Sequence, residues 1–273
     1  MSNAHSTSPA AILSSLIQHR GLVWDLVKRD FIGRYKGSIM GVAWSLFNPL
    51  LMLAVYTIVF SVAFKARWGT GEESKVAFAI VLFSGMIVHG FFAECLNRAP
   101  DLITSHANYV KKVVFPLEIL PWMALGSALL HFLVSLGVLL VFCLLAGVPV
   151  QSGALLISII LLPLILLTLG LSWLFASLGV YLRDLSQGMG IVITVLLFLA
   201  PVFYPIEALP EPYRALIAWN PITLPIIQLR DLMLWDKPLQ WGQWAVSVAI
   251  GAAVSYIGCW WFQKSRRGFA DVL

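Results

Sequence analysis

The sequence carries little charge. Only 11% of its 273 residues are Asp, Glu, Lys or Arg, whereas 60% are hydrophobic and the mean hydropathy is +0.88. Soluble domains carry roughly 25% charged residues, so the composition excludes a soluble globular chain. Cysteine is also scarce: Cys95, Cys143 and Cys259 lie in or beside apolar runs without disulfide or metal spacing, which indicates packing residues and no metal site.

The common motifs of nucleotide-binding and catalytic chains are missing. There is no Gly-x-x-x-x-Gly-Lys-[Ser/Thr] phosphate loop, no His-Glu-x-x-His zinc motif and no dinucleotide fingerprint. We therefore expect a chain that binds no cofactor and is no enzyme by itself. His131 and Ser135 lie four residues apart, but no third group orients them, so an intramembrane serine hydrolase is disfavoured.

Charge-free runs predict the membrane spans. They cover 37–64, 76–93, 119–182, 185–206 and 238–263. About 20 apolar residues cross a bilayer as a helix, so the longest run holds two spans, divided at 147–153. A β-barrel is disfavoured because its strands alternate apolar and polar residues. The predicted fold class is all-α, a polytopic membrane protein with six transmembrane helices at about 39–63, 76–97, 119–145, 154–181, 187–204 and 243–262.

The basic residues predict the orientation in the membrane. With residues 1–36 in the cytoplasm, twelve Lys and Arg lie on that side and six on the other, as the positive-inside rule requires. Both termini are then cytoplasmic, and the net charge of +5 reflects topology rather than nucleic acid, which we do not expect as a partner. Residues 1–19 are predicted as a flexible leader without a signal peptide, 37–264 as the transmembrane domain and 265–273 as a cytoplasmic tail.

Three segments have features of their own. In 20–36, Trp24, Val27, Phe31 and Tyr35 recur at helical spacing, which predicts an amphipathic helix in the membrane interface, with a short solvated helix as the alternative. The core of 99–115 can form a short helix that contacts a soluble partner. Prolines recur among Trp and Tyr over 205–241, which predicts two half-helices at the outer interface or dipping into it.

The spans contain few ionisable residues and many aromatic ones. His89 and His131 are the only titratable side chains well inside, and we expect each to be neutral and bonded to a backbone carbonyl or a serine, with a proton relay as the alternative. Pro49 predicts a kink or a local opening of the first span. Aromatic faces can bind a sugar ring, although packing and lipid contact remain alternatives for each residue.

Four stretches in chain order carry a family resemblance. They are RYKGSIMGVAWSLFNP at 34–49; NYVKK at 108–112 with FPLEILP at 115–121; Arg183-Asp184 with PVFYP at 201–205; and Asn220-Pro221 followed by Arg230. Together they resemble the membrane (permease) subunits of type-2 ABC exporters for bacterial polysaccharides, namely O-antigen, capsule or teichoic acid. The resemblance covers residues 20 to 265 approximately.

The resemblance implies a homodimer in the bacterial inner membrane. Two copies of a separate cytoplasmic ATPase hold ATP and Mg, and a lipid-linked polysaccharide passes between the membrane subunits. The nearest alternative is an exporter of a small amphipathic molecule or drug in the same superfamily. A membrane scaffold without transport is the next.

The resemblance also implies roles for residues. The cytoplasmic entrance would include, beside the interfacial helix 20–36, Lys28, Arg29, Arg34, Tyr35, Arg183 and Asp184. A coupling helix at 100–113 would contact the ATPase through Asp101, Ser105, Asn108, Tyr109, Lys111 and Lys112. A periplasmic gate at 206–235 would use Tyr213, Trp219, Asn220, Pro221 and Arg230. The substrate channel would be lined by Trp44, Phe47, Tyr56, Phe60, Phe64, Phe198, Phe203 and Tyr204.

Overall fold

The computed structural model describes residues 16–59, 75–112 and 115–273. Within these ranges the chain forms helices, turns and connecting loops but no strand. Residues 1–15 of the predicted leader lie outside them, as do Phe60 and Phe64. The helices are α1 (Arg20–Gly33), α2 (Trp44–Ile58), α3 (Lys75–Arg98), α4 (Ala107–Lys112), α5 (Leu120–Leu145), α6 (Ile157–Tyr181), α7 (Asp184–Phe198), α8 (Glu211–Ala218), α9 (Thr223–Met233), α10 (Trp241–Ser265) and α11 (Phe269–Val272).

Five helical segments of the described chain are long and apolar enough to cross a membrane. They are Gly41–Ile58, Val76–Arg98, Leu117–Leu145, Ser152–Tyr181 and Trp241–Val272. The sequence predicts a sixth at 187–204, but α7 has 15 residues and ends at Phe198. Pro201 disfavours helical backbone in the residue before it and cannot donate a helix hydrogen bond, so the chain turns there instead.

The central span and the first span differ in burial. In α3, 72% of the most apolar window is buried inside the bundle, whereas the corresponding share for Gly41–Ile58 is 6%. Pro49 neither ends nor interrupts α2, contrary to the predicted opening of the helix, because its missing N–H removes only one helix hydrogen bond. The first span therefore keeps one broad apolar face that the other described residues leave uncovered.

Helices α6 and α10 pack backbone against backbone. A Cβ atom added at Gly258 would collide with the carbonyl oxygen of Gly170, and one at Gly251 would lie 2.7 Å from the carbonyl oxygen of Pro163. Small residues at such a crossing let membrane helices approach closely. These two helices consequently form the tightest pair in the bundle.

Helix α1 packs on the bundle with part of the predicted apolar face. Val27 is buried together with Leu26, and the Phe31 ring lies 4.7 Å from the ring of His131. Trp24, on the same predicted face, is 51% exposed, as a side chain in contact with lipid would be. Asp30, on the neighbouring face, forms an ion pair with Arg98 of the bundle.

The segment after α3 is more broken than predicted. In place of one continuous helix over 100–113, it forms 3-10 turns at Ala99–Asp101 and Thr104–His106 before α4. Thr104 and Ser105 donate side-chain hydrogen bonds to the carbonyl oxygens of Asp101 and Leu102. Such local bonds compete with regular helix, which explains the interruption.

Candidate functional site

Charged and polar side chains from α1, α3 and α5 meet at one end of the bundle. We call this group the α1 cluster; its members are Asp30, Arg34, Tyr35, Glu94, Arg98 and His131. Arg98 donates two hydrogen bonds to Asp30, at 2.9 Å from Nη1 to Oδ2 and 2.5 Å from Nη2 to Oδ1. This paired geometry fixes the orientation of α1 against α3.

Asp30 is ionised in this arrangement. Burial by itself would raise the pKa of its carboxyl group, but hydrogen bonds and positive charge from Arg98, together with the charge of Arg34 3.6 Å away, outweigh it. The pKa of Asp30 therefore lies below its ordinary value of 3.8. At neutral pH the carboxylate holds both arginines.

His131 joins α5 to the other two helices. Its Nδ1 atom lies 3.0 Å from Oε2 of Glu94, and its Nε2 atom lies 2.9 Å from the hydroxyl of Tyr35. Because a carboxylate only accepts hydrogen bonds, Nδ1 carries a hydrogen, and in the neutral ring Nε2 accepts the Tyr35 hydroxyl proton. The expectation that His131 bonds a backbone carbonyl or a serine is wrong.

His89 behaves as expected. Its Nε2 atom lies 3.3 Å from the carbonyl oxygen of Ile193 in α7. The two histidines differ in what the facing helix offers: α7 presents the backbone carbonyl of Ile193 to His89, whereas α3 presents the Glu94 carboxylate to His131.

A cavity of about 330 Å³ opens beside the α1 cluster. Arg34, Glu94 and His131 line one end, and Met52 and Phe83 lie among its apolar lining residues. Its lining is therefore amphipathic. Cavities of this size with few polar groups are typical of sites for small ligands.

The predicted channel aromatics separate into three groups. Tyr56 lines the cavity. Trp44 and Phe47 stack edge to face at 5.3 Å outside its lining. The ring centroids of Phe198, the last residue of α7, and Phe203 lie 5.7 Å apart. The structure thus does not bring all described members of this set to one wall.

Tyr204 has a local role at the same place. Its hydroxyl donates a 2.7 Å hydrogen bond to the carbonyl oxygen of Phe198, the last residue of α7. This bond satisfies one of the carbonyls that a helix end leaves without a partner.

The predicted entrance residues are also distributed. Arg34 and Tyr35 belong to the α1 cluster, and Lys28 lies over the ring of Trp24 at 5.2 Å. Arg183 and Asp184 are exposed where α7 begins.

One contact joins α1 to the predicted coupling segment. Arg29 donates a 2.5 Å hydrogen bond to the hydroxyl of Tyr109, whose ring stacks on Phe115 at 4.4 Å. Asp101 is exposed, and Ser105 bonds back to its own turn. The remaining predicted coupling residues lie on α4, namely Asn108, Lys111 and Lys112.

Arg230, at the predicted gate, is almost completely buried, with 1% exposure. It donates hydrogen bonds from Nε to the carbonyl oxygen of Val81, from Nη1 to Pro201 and from Nη2 to Val202, at 3.0, 2.5 and 3.1 Å. A buried guanidinium is stabilised when its N–H groups are satisfied in this way. Arg230 thereby joins α9 to α3 and to the turn after α7.

The other predicted gate residues divide into buried and exposed members. The Asn220 amide donates a 2.8 Å hydrogen bond to the carbonyl oxygen of Leu196, and Pro221 is partly buried beside it. Tyr213 and Trp219 are 60% and 88% exposed. Amphipathic aromatic rings favour the membrane–water boundary, so their exposure fits an interfacial position.

Sequence reasoning missed four residues of the α1 cluster: Asp30, Glu94, Arg98 and His131. The available signal was the rarity of Glu94 and His131 as ionisable residues in or near apolar spans, since such residues are retained there for function. Nothing in the local sequence paired them, because 37 positions separate the two.

Comparisons with known proteins agree over most of the chain. The family described as ABC-2 type transporter matches residues 21–234. The O-antigen export system permease protein RfbA of Klebsiella pneumoniae is 26% identical over 258 residues, covering 93% of this chain and 96% of the relative. RfbA of Myxococcus xanthus is 28% identical over 266 residues, covering 95% and 98%. The polysialic acid transport protein KpsM of Escherichia coli is 20% identical over 200 residues, covering 72% and 75%.

Proposed function

The chain belongs to the ABC-2 type transporter family, and from that premise we propose that it is the membrane subunit of an ATP-driven exporter of lipid-linked polysaccharide. The observation that carries the proposal is the match to O-antigen export permeases along nearly their whole length. Because the match covers nearly all of both chains, it supports the same set of membrane helices in both. The cargo class follows from the names of these relatives.

We propose that a separate ATPase supplies the energy. The sequence contains no phosphate loop, so ATP and Mg are bound by the partner and not by this chain. The segment from Ala99 to Lys112 offers the contact surface, with Asp101 exposed and Tyr109 bonded to Arg29. A movement of the ATPase against this segment would be transmitted to α1 through the hydrogen bond between Tyr109 and Arg29.

The proposed exporter is a homodimer in the bacterial inner membrane with both termini in the cytoplasm. The uncovered apolar face of α2 supports a second copy as its neighbour, because two-fold pairing is the commonest oligomer symmetry. Phe47 on α2 and Phe198 on α7 are exposed in the single chain and would line the conduit between two copies. In this proposal α7 is also a membrane span, which brings the number of spans to six; it is short and is the fifth in chain order.

The proposed transport cycle uses the two ends of the bundle. ATP closes the partner dimer, and the motion passes through 99–112 to α1 at the entrance. Such a change requires that ATP bind one state more tightly than the other, which the partner interface would supply. At the opposite end α8 and α9 act as the gate, and the aromatic walls bind glycan weakly enough to release it.

Deletion of the gene in its host tests the cargo. We expect lipid-linked glycan to accumulate on the cytoplasmic face, and the intact gene to restore its export. Normal surface glycan in the deletion strain would contradict the proposal.

Two double variants test the proposed surfaces. Lys111→Glu with Lys112→Glu is expected to abolish co-purification of the ATPase. Lys264→Glu with Arg267→Glu, in the basic segment near the C-terminus, is the matched charge control.

Tyr56→Ala with Phe60→Ala is expected to reduce export at normal expression. Unchanged partner binding and export in these variants would remove the assigned contacts.

A second candidate is export of a small amphipathic molecule. The cavity of about 330 Å³ favours it, because such a volume within one chain accommodates a small ligand and no polymer. Export of a fluorescent amphipathic dye that is lost in the deletion strain, with no glycan accumulation, would select this candidate.

A further inference from the structure

Two groups share one carboxylate in the α1 cluster. Nη2 of Arg34 lies 2.5 Å from Oε1 of Glu94, and Nδ1 of His131 lies 3.0 Å from Oε2. Nη1 of Arg34 also lies 3.3 Å from Nδ1 of His131. Arg34 Nη1 and His131 Nδ1 both carry hydrogens, so this last approach brings two donors together. The negative charge of Glu94, which both side chains contact, offsets their repulsion.

The groups around His131 determine what a proton would do there. Helix α1 and the residues after it present Arg34, Tyr35 and the Phe31 ring, whose centroid lies 4.7 Å from the imidazole. Helix α3 presents Glu94, and the nearby Arg98 is paired with Asp30. From α2, Ser45 and Asn48 line the same cavity without charge.

The charges of these groups balance when His131 is neutral. Arg34 then offsets Glu94, and Arg98 offsets Asp30. A proton on His131 adds one uncompensated positive charge in a site where its side chain is only 17% exposed. Partial burial makes that charge more effective than it would be in water.

We propose that His131 is the positioning residue that holds the C-terminal end of α1 on the bundle, and that its protonation releases this end. The neutral ring donates to Glu94 and accepts from Tyr35. The protonated ring takes a larger share of Glu94, repels Arg34 and forces Tyr35 to reverse its hydroxyl hydrogen. Imidazole is the side chain whose charge changes near neutral pH.

The meaning of this release for transport rests on the proposed function. If α1 guards the entrance, its position depends on cytoplasmic pH, and acidification loosens the entrance. The release itself can be measured without cargo or ATPase, so failure of the proposed function and failure of this inference are distinguishable.

Maleimide labelling of a Leu26→Cys variant of the full chain in detergent measures the release. Leu26 lies on the buried face of α1 and is 5% exposed, and the native cysteines are at most 1% exposed, so the introduced thiol reacts when α1 moves away from the bundle. Rates are divided by those of a Gly33→Cys variant at the same pH, because a side chain there meets open space. We expect the ratio to rise about threefold or more from about pH 8 to about pH 5.5.

Second-site variants assign the response to His131. Adding His131→Asn, whose amide retains a donor toward Glu94 but does not titrate, is expected to give the same ratio at every pH. Adding His106→Asn, a histidine beside α1 on the predicted coupling segment, should leave the pH response in place. A flat ratio with His131 present, or an equal rise in the His131→Asn background, would overturn the proposal.

Discussion

Different interactions hold α1 at one end of the bundle and α9 at the other. At the α1 end, side chains pair with oppositely charged side chains: Asp30 with Arg98 and Arg34 with Glu94. At the gate end, Arg230 donates to backbone carbonyl oxygens of α3 and of the turn after α7. Arg34 is 28% exposed, whereas Arg230 is 99% buried.

This difference determines at which end water can replace the contacts between side chains at small cost. A partly exposed ion pair in high dielectric contributes little net stability and can open at small cost. A buried guanidinium removed from its carbonyls leaves several polar groups without partners, which costs far more. The α1 end is therefore the end that opens at the smaller cost. The contacts around Arg230 form a joint that holds α9 on α3, so in the proposed gate α8 moves and α9 stays in place.

Arg230→Met is expected to give the largest change in stability among the variants that test this contrast. The Val81, Pro201 and Val202 carbonyls lose their donor, so we expect the free energy of unfolding to fall by roughly 3 kcal/mol or more. Thermal unfolding in detergent measures the change. Lys237→Met is the control, because Lys237 is 62% exposed and its pair with Asp231 is worth at most about 1 kcal/mol. Equal stability of both variants would end the distinction between the two ends.

Gly85→Ala probes the same joint from the neighbouring helix. A Cβ at Gly85 would lie 2.6 Å from Nη2 of Arg230, which is bonded in place, so we expect a loss of about 1–3 kcal/mol by overpacking. Gly90→Ala, on the same helix, meets nothing within 4 Å and should be neutral or gain up to about 1 kcal/mol. A harmless Gly85→Ala variant would show that Arg230 moves freely.

Charge exchange sharpens the comparison at the α1 end. Asp30→Asn removes a partly exposed pair, so we expect a loss of about 1 kcal/mol in thermal unfolding. The double variant Asp30→Arg with Arg98→Asp should regain part of the loss suffered by Asp30→Arg alone, because opposite charges again face each other, although Arg34 lies 3.6 Å from the exchanged position and repels the new arginine. Absence of any rescue would mean that the pair is held by its geometry alone.

The pH dependence of that pair gives the smallest effect. Because the folded pKa of Asp30 is lowered, its ionisation stabilises the fold above the ordinary value of 3.8, and this contribution is lost as pH falls through the folded pKa. The stability gap between the native chain and Asp30→Asn should be constant above about pH 5 and close below about pH 4. A gap that stays open well below about pH 3 would contradict this assignment to Asp30.

The sequence predicts helices far better than their pairings. Hydropathy alone indicates two helices within 119–182, and α5 and α6 occupy that run on either side of a turn. A helix in a membrane satisfies its own backbone, so its existence depends on local sequence. Arg98 and Asp30 lie 68 positions apart, and only packing of α1 on α3 brings them together.

Trp24 illustrates the remaining limit. Helical spacing places it with Val27 and Phe31 on a face that was predicted to meet the membrane. In the structure Val27 lies against the bundle and Trp24 is exposed, while Asp30 on the neighbouring face pairs with Arg98. Periodicity counts apolar residues on a face but carries no information about a charge waiting on another helix.

The shortness of α7 has a consequence for the proposed arrangement of six spans. Fifteen helical residues rise only about 22 Å, less than the roughly 30 Å of a hydrocarbon core. In that arrangement the loop after Phe198 supplies the remaining length, and lipid offers its carbonyl groups no hydrogen-bond donor. Arg230 donates hydrogen bonds to the carbonyl oxygens of Pro201 and Val202 in this loop, so these two groups are satisfied without water.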